Sequence, residues 1–394
     1  MMTKIMAINS GSSSLKFKLF IMPEETVITE GIVERIGSVD AIFSFKYAGE
    51  KNSRTTTIKD HQQAVQLVLD TLIKQEIIKS YDEIAGVGHR ISHGGTYYQD
   101  ATLIDEIVEA HIDELSTLSP LHNPVNLIGI QSFEKVLPTA KQVAIFDTSF
   151  HHTIPEKNYM YALPYRYYEE YGIRRYGFHG PSHQYVSEKA ISLNPATHKM
   201  ITCHIGSGAS IAAILEGKSI NTSMGFTPLA GLVMGTRTGD IDPQIIPFIQ
   251  EKEGLDAQGI KDLLNKKSGL LGLSGISNDC RDIEAAASSG NSRAQLALDV
   301  FAHQIIHYIG AYAADLNGLD TLVFTAGVGE HSASVRKMVC DSLTYLGVKI
   351  DESKNQDNAL SIESADSKVK VMVIPTDEEV IIARDVMRVA QLEK

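Results

Sequence analysis

Apolar positions along this chain follow two periods, and the switch between them recurs. Residues 5–8 read Ile-Met-Ala-Ile, Asn9 to Ser14 are small and polar, and Leu15, Phe17, Leu19 and Phe20 resume an apolar run. Two strand-type runs joined by Gly and Ser predict a β-hairpin. Sliding the chain by 195 positions puts Gly11 on Gly206, Ser12 on Ser207 and Leu19 on Ile214, so residues 200–215 predict a second hairpin of the same kind. Further apolar runs predict strands at 31–33, 41–47, 84–89, 142–146, 322–325 and 369–374. Helical spacing appears at 60–79, where Val65, Val68, Leu69, Leu72, Ile73 and Glu76 trace one face. It returns at 105–118, 125–136, 182–193, 255–266 and 379–393, and at 292–316 through Leu296, Val300, Ile305, Ile309 and Tyr312. Pro120 and Pro124 predict a rigid loop over 119–124, and the aromatic-rich stretch from Phe150 to Phe178 predicts irregular structure.

Strands and helices alternate after each hairpin, which places the fold in the α/β class. Small residues at a hairpin tip let an anion approach backbone N–H groups closely, so each tip suits a phosphate. Two such tips opening two halves of one chain predict duplicated lobes, each a sheet flanked by helices, around a shared nucleotide cleft. A chain of 394 residues exceeds the size at which a single core stops growing, and a boundary falls near residue 150.

The remaining bulk properties narrow the partners. With 43% hydrophobic and 21% charged residues the composition is that of a soluble globular protein, and no apolar run reaches the ~18 residues of a membrane span. No signal-type segment precedes the first strand, which predicts a cytoplasmic location. Three widely spaced cysteines, Cys203, Cys280 and Cys340, fit neither a disulfide framework nor a zinc cluster. A net charge of −12 argues against nucleic acid or an anionic membrane as partner, so an anionic substrate needs a local basic pocket.

The common nucleotide signatures fail. Gly217-Lys218-Ser219 resembles the end of a P-loop, but the glycine required five residues earlier is Ala212; Gly206-Ser207-Gly208 would need a third glycine where Ile211 stands. His179 and His183 have a metal-like spacing, but Gly180-Pro181 lie between them and are expected to break a helix. What remains is a set of polar residues between apolar strands and glycine turns: Asn9, Ser12, Ser14 and Lys16 on the first hairpin, Arg90, Asp147, His179 and Arg237. Function concentrates on such loops.

The motifs Asn9-Ser10-Gly11-Ser12-Ser13-Ser14-Leu15-Lys16, Tyr176-Gly177-Phe178-His179-Gly180 and Gly235 through Pro243 resemble signatures of the acetate kinases. His89-Arg90, Pro120 through Pro124, Phe146-Asp147-Thr148 and Pro375 through Glu379 match further segments of that family in the same order. The resemblance covers essentially the whole chain. It implies the duplicated fold shared with sugar kinases, actin and chaperone ATPases, with lobes of residues 1–150 plus 376–394 and 151–375, the C-terminal helix packing back on the first. It also implies a homodimer that converts ATP and acetate reversibly into ADP and acetyl phosphate, with Mg²⁺, or Mn²⁺ in its place. Other readings are a propionate or broader short-chain acyl kinase and, outside enzymes, a nucleotide-dependent binding protein of actin or chaperone type.

A carboxylate is ionised at pH 7 and needs no strong base to attack phosphorus; the obstacle is repulsion between two anions, which cations and fixed donors must offset. The guanidinium fork suits both anions. On the resemblance, Arg90 binds the acetate carboxylate, Arg237 the carboxylate and the transferring phosphoryl group, and His179 donates to its equatorial oxygens. Asp147 orients an arginine or the metal's waters, Asn9 and Glu378 position Mg²⁺, and Lys16 and Ser12 hold phosphate oxygens. Leu121, Phe178 and Pro228 shelter the acetate methyl. The nucleotide site comprises His204, Ile205, Gly206, Ser207 and Gly208, then Asp279, Cys280 and Arg281, then Gly327, Val328, Gly329, Glu330 and His331. The family usually has Asn at 207 and 331, Thr at 181 and Val at 92. Ser207 and His331 bear on nucleotide affinity and base preference, while Ser92 implies a roomier acyl pocket that admits propionate.

Overall fold

The structure, a computed structural model, describes residues 2–392. The chain divides into two compact units, residues 2–150 with 377–392, and His151–Thr376. Thr376, expected with the first unit, belongs to the second, where its N–H donates to Glu330 Oε1 (3.1 Å) and its hydroxyl bonds Ser182 Oγ (2.8 Å).

In the first unit β1 (Thr3–Gly11), β2 (Ser14–Met22), β3 (Thr26–Glu34), β4 (Ser38–Tyr47) and β5 (Glu50–Ile58) form an antiparallel meander, and β6 (Ile84–Ile91) pairs parallel to β1. With β7 (Thr102–Leu103) and β8 (Lys141–Phe146) the sheet order is β5-β4-β3-β2-β1-β6-β8-β7. Alternation along β2 buries Leu15, Phe17 and Leu19 and leaves Lys16 exposed. On β6, a Cβ at Gly88 would lie 2.3 Å from Ile382 Cγ2, and one at Gly86 2.5 Å from Val386 Cγ1. These glycines seat the helix Glu378–Val389 directly on the strand that carries Arg90 near its end. Overpacking such a contact costs about 1–3 kcal/mol.

The second unit repeats the plan. β9 (Lys199–Ile205), β10 (Ala209–Leu215) and β11 (Lys218–Thr222) form an antiparallel meander, and β12 (Thr321–Thr325) and β13 (Lys370–Val373) extend it parallel to β9, in the order β11-β10-β9-β12-β13. That order matches β3-β2-β1-β6-β8 of the first unit strand for strand. Each sheet is mixed and flanked by helices, so the fold is a duplicated two-lobe α/β fold.

Several elements depart from the sequence expectation. β5 went unread because Glu50 to Thr57 is polar throughout and almost wholly exposed, as an edge strand tolerates. β11 was missed because its buried residues include polar Ser219 and Thr222. The first helix stops at Lys74, and Glu76 lies beyond it in left-handed backbone (φ 55) rather than on its face. Pro124 sits in the first turn of the helix Asn123–Val136 instead of in the loop, since a first-turn residue needs no N–H donor. For the same reason Gly180-Pro181 open the helix Gly180–Leu193 rather than break it. Leu296 points to solvent (56% exposed) while Ala297 and Leu298 face the core. The last helix ends at Val389, and the expected end at 393 lies outside the described residues.

Candidate active site

Arg90 and Asp147 end two neighbouring parallel strands. Arg90 Nε and Nη2 donate to Asp147 Oδ1 (2.8 Å) and Oδ2 (2.7 Å), a bidentate pair with the Asp147 side chain only 5% exposed. Asp147 N–H in turn donates to Ile91 O (2.9 Å), which locks the carboxylate to the strand that carries its partner. Glu378 opens the C-terminal helix and places Oε2 3.8 Å from Arg90 Nε. Burial disfavours the Arg90 charge, but Asp147 and then Glu378 more than reverse this and raise its pKa above the ordinary arginine value. Burial raises the Glu378 carboxyl above its usual range, with Arg90 pulling the other way. The pairing consumes one edge of the fork. The Nη1 side of Arg90 has no hydrogen-bond partner among the described residues and can take a second oxyanion bidentately.

The loop after Arg90 is tied from three sides. Ser92 N–H donates to Asn126 Oδ1 (3.1 Å), and Asn126 Nδ2 donates to Ser10 O of the first hairpin (2.9 Å). Asn123 Oδ1 accepts from His93 N–H (3.1 Å), its Nδ2 donates to His93 O (3.1 Å), and Gly94 N–H reaches Thr148 Oγ1 (3.1 Å). These asparagines sit in the first turn of one helix and join loops far apart in sequence. On the first hairpin Asn9 pairs in register with Lys16, which is exposed, as is Ser12. Leu121 is 64% exposed in the loop before that helix.

In the second unit His179 precedes the helix Gly180–Leu193 in the left-handed region (φ 56), a conformation that marks constrained sites when a non-glycine adopts it. Its Nδ1 bonds Ser210 Oγ (2.9 Å) and its ring stacks on His204 with centroids 4.1 Å apart. A Cβ placed on Gly208, at the second hairpin tip, would lie 3.5 Å from His179 Nε2 and 3.7 Å from Arg237 Nη1. Imidazole, guanidinium and a side-chain-free tip therefore meet at one point. Arg237 Nη1 donates to Pro228 O (2.9 Å), and no carboxylate pairs with Arg237 among the described residues. Burial lowers its pKa from the ordinary value. Its loop is closed independently of the guanidinium, by Asp240 N–H to Gly231 O (2.8 Å) and Gly231 N–H to Asp240 Oδ1 (2.8 Å). Gly235 N–H bonds Ser207 O (3.0 Å), which ties that loop to the hairpin tip. Phe178 is buried, with its carbonyl on His151 Nε2 (3.0 Å).

Beside this tip lies a cavity of about 380 Å³, of a size that holds small ligands. Gly206, Ser207, Asp279, Cys280, Arg281, Gly327, Val328 and His331 line it, as do Leu270, Asn278, Glu284 and Ser332, which carry no motif and went unread. His204, Ile205, Gly208, Gly329 and Glu330 lie outside the lining: Ile205 is core, His204 Nδ1 bonds Ser182 Oγ (2.8 Å), and Glu330 Oε1 accepts from Ala326 N–H (2.8 Å). Asp279 caps the helix Cys280–Ser288 and grips Arg281 through Nε (3.0 Å) and Nη2 (2.6 Å), a bond that pulls its carboxyl down to about 2. Burial pushes the Cys280 thiol up to about 12, so it lines the cavity as an inert group.

The Gly327–His331 segment is held from behind by Arg336, which is fully buried. Its Nη1 donates to Gly329 O (2.9 Å) and Glu330 O (3.0 Å), while Nε and Nη2 go to Asn355 Oδ1 (2.8 Å), Asn355 O (2.6 Å) and Asn358 Oδ1 (2.7 Å). Arg336→Ala strips these acceptors and leaves a hole, so it is expected to destabilise the protein by about 3–4 kcal/mol. A urea midpoint within error of the unsubstituted protein would refute this role.

Anion-ready guanidinium groups on a duplicated α/β frame are the equipment of a phosphotransferase. Residues 4–384 match the Acetokinase family, and the chain belongs to that family. It is 56% identical to acetate kinase from Geobacillus kaustophilus over 99% of this chain and 100% of the relative, and 54% identical to acetate kinase from Bacillus subtilis at the same coverage. The crystal structure of acetate kinase from Porphyromonas gingivalis superposes with a TM-score of 0.93 at 45% identity, covering 98% of this chain and 100% of that one. A propionate kinase from Francisella tularensis also gives a TM-score of 0.93, at 39% identity over 98% and 99% of the two chains. The protein is thus a phosphotransferase with a carboxyl group as acceptor, and the non-enzymic reading of actin or chaperone type gives way.

Proposed function

We propose that the protein transfers the γ-phosphoryl group of ATP to the carboxylate of acetate, reversibly and in line, giving acetyl phosphate and ADP. The observation that carries this reading is the unspent donor capacity of two arginines. Arg90 is fixed by Asp147 on one edge and open on the other, and Arg237 is half-buried with no carboxylate partner among the described residues. Half-buried guanidinium groups left in this state favour anions. Arg90 takes the acetate carboxylate, and Arg237 the carboxylate and the transferring phosphoryl group. His179 donates from Nε2 to its equatorial oxygens, where charge accumulates in a loose transition state. Asp147 is a positioning group: bonded to Arg90 through both oxygens, it has no role as a base toward an acceptor that is already ionised.

Among the described residues no cluster of three His, Cys, Asp or Glu side chains could hold a metal ion. Mg²⁺ carried by nucleotide phosphates keeps its waters and takes one or two protein oxygens, a demand that an amide and a carboxylate can meet. Asn9 and Glu378 would hold it partly through water; Mg²⁺, or Mn²⁺ in its place, neutralises phosphate charge when bound. Lys16 and Ser12 hold phosphate oxygens, the 380 Å³ cavity takes the nucleoside, and Leu121, Phe178 and Pro228 shelter the methyl group. A homodimer in the cytoplasm completes the reading; three free, buried cysteines suit a reducing compartment.

The test is hydroxamate formation from Mg-ATP, hydroxylamine and a carboxylate. Acetohydroxamate is expected, with kcat/KM falling from acetate to propionate to butyrate. Equal turnover on all three, or ATP hydrolysis without hydroxamate, contradicts the reading. Ser92→Val narrows the acyl pocket and is expected to lower kcat/KM for propionate relative to acetate by roughly 10-fold. An unchanged ratio removes Ser92 from specificity.

A further inference from the structure

His179 is not held alone. Behind it runs a chain of hydrogen bonds through three fully buried side chains: Thr202 Oγ1 to His183 Nδ1 (2.7 Å), His183 Nε2 to Ser210 Oγ (2.7 Å), and Ser210 Oγ to His179 Nδ1 (2.9 Å). None of these distances says where the protons are, but the count of donors does.

The Thr202 hydroxyl has one hydrogen-bond partner among the described residues, His183 Nδ1. A buried hydroxyl proton without an acceptor is strongly disfavoured, so Thr202 donates and His183 Nδ1 accepts. Among the described residues His183 pairs with no carboxylate, and its aromatic neighbours are the imidazoles of His151 (5.6 Å) and His204 (6.2 Å). Burial and those two rings hold it neutral, with a pKa well below the usual histidine value. A neutral imidazole that accepts at Nδ1 carries its proton at Nε2, so His183 donates to Ser210 Oγ. The Ser210 proton then has one acceptor left, His179 Nδ1. An imidazole accepting at Nδ1 presents N–H at Nε2, the atom that faces Gly208 at the hairpin tip.

We propose that Thr202, His183 and Ser210 form a tautomer relay that fixes the proton of His179 on Nε2, making it a permanent donor toward the phosphoryl group. The relay deepens the proposed function, since the donor's target rests on that reading. The opposite polarity, with every proton turned round, leaves Thr202 a buried donor with no acceptor and turns a lone pair of His179 toward an anion. Thr202, His183 and Ser210 are therefore positioning residues, acting on the phosphoryl group only through His179.

The experiment is ¹⁵N NMR of histidine-labelled full-length protein at neutral pH, with the His179 and His183 signals assigned by loss in His179→Gln and His183→Gln. Both rings are expected as the Nε2–H tautomer. Thr202→Val removes the hydroxyl with little change of shape and is expected to move both rings toward mixed tautomers and lower kcat roughly 10- to 100-fold, the range for groups that orient a working histidine from behind. Thr202→Ser keeps the hydroxyl and restores both signals and rate. An Nδ1–H tautomer at His179 in the unsubstituted protein, or tautomers unmoved in Thr202→Val, overturns the relay. Tautomers that move with kcat unchanged leave the relay standing and instead remove His179 as a donor in the proposed reaction.

Discussion

Arg90→Ala is expected to lower kcat for acetyl phosphate formation by about 10³-fold, the scale for losing a guanidinium that offsets developing charge in phosphoryl transfer. Two consequences of the structure sharpen the expectation. Asp147 loses both hydrogen bonds that Arg90 makes to its carboxylate and stays buried, so the variant is also expected to unfold at lower temperature, and turnover is read well below that midpoint. Arg90→Lys keeps the charge but cannot bond Asp147 through two nitrogens while presenting a second fork to acetate. It is expected to remain at least roughly 10²-fold impaired. Near-unsubstituted turnover in the alanine variant removes Arg90 from the mechanism.

Arg237→Ala is expected to lower kcat by about 10²- to 10³-fold with little loss of stability, the reverse balance of consequences. The side chain makes no ion pair among the described residues, and its loop is closed by Gly231 and Asp240 and tied to Ser207, Leu264 and Leu271 through main-chain bonds that do not involve the guanidinium. Removing a half-buried cation whose partners among the described residues are neutral also relieves the burial that depresses its pKa. Unfolding curves therefore superpose closely while the rate collapses. A large fall in the unfolding midpoint with the rate maintained contradicts this assignment.

The frame was legible wherever apolar period and small-residue turns agreed: both hairpins, β6, β8 and the long helix Ser292–Asp315 follow directly from spacing. It was illegible where an edge position permits polar strands, as in β5, or where proline opens a helix rather than ending one, as at Pro124 and Pro181. Arg90 and Asp147 could be singled out because each follows an apolar strand and precedes a turn. Asn123 and Asn126 could not, since their partners lie at sequence distances that no local pattern encodes. Asn126 bonds Ser10, and Asn123 bonds His93. The buried hydroxyls were equally silent. Thr202 reads as an ordinary strand residue until its hydroxyl's one partner among the described residues is seen to be a histidine.

The central claim is that Arg90 and Arg237 serve one transfer between two mutually repelling anions, and a double-mutant cycle on kcat/KM for acetate tests it most directly. Groups that stabilise the same transition state lose much of their value together, so the Arg90→Ala, Arg237→Ala double variant is expected to fall only slightly below the slower single variant. Losses that multiply in full would show two independent contributions and contradict the account.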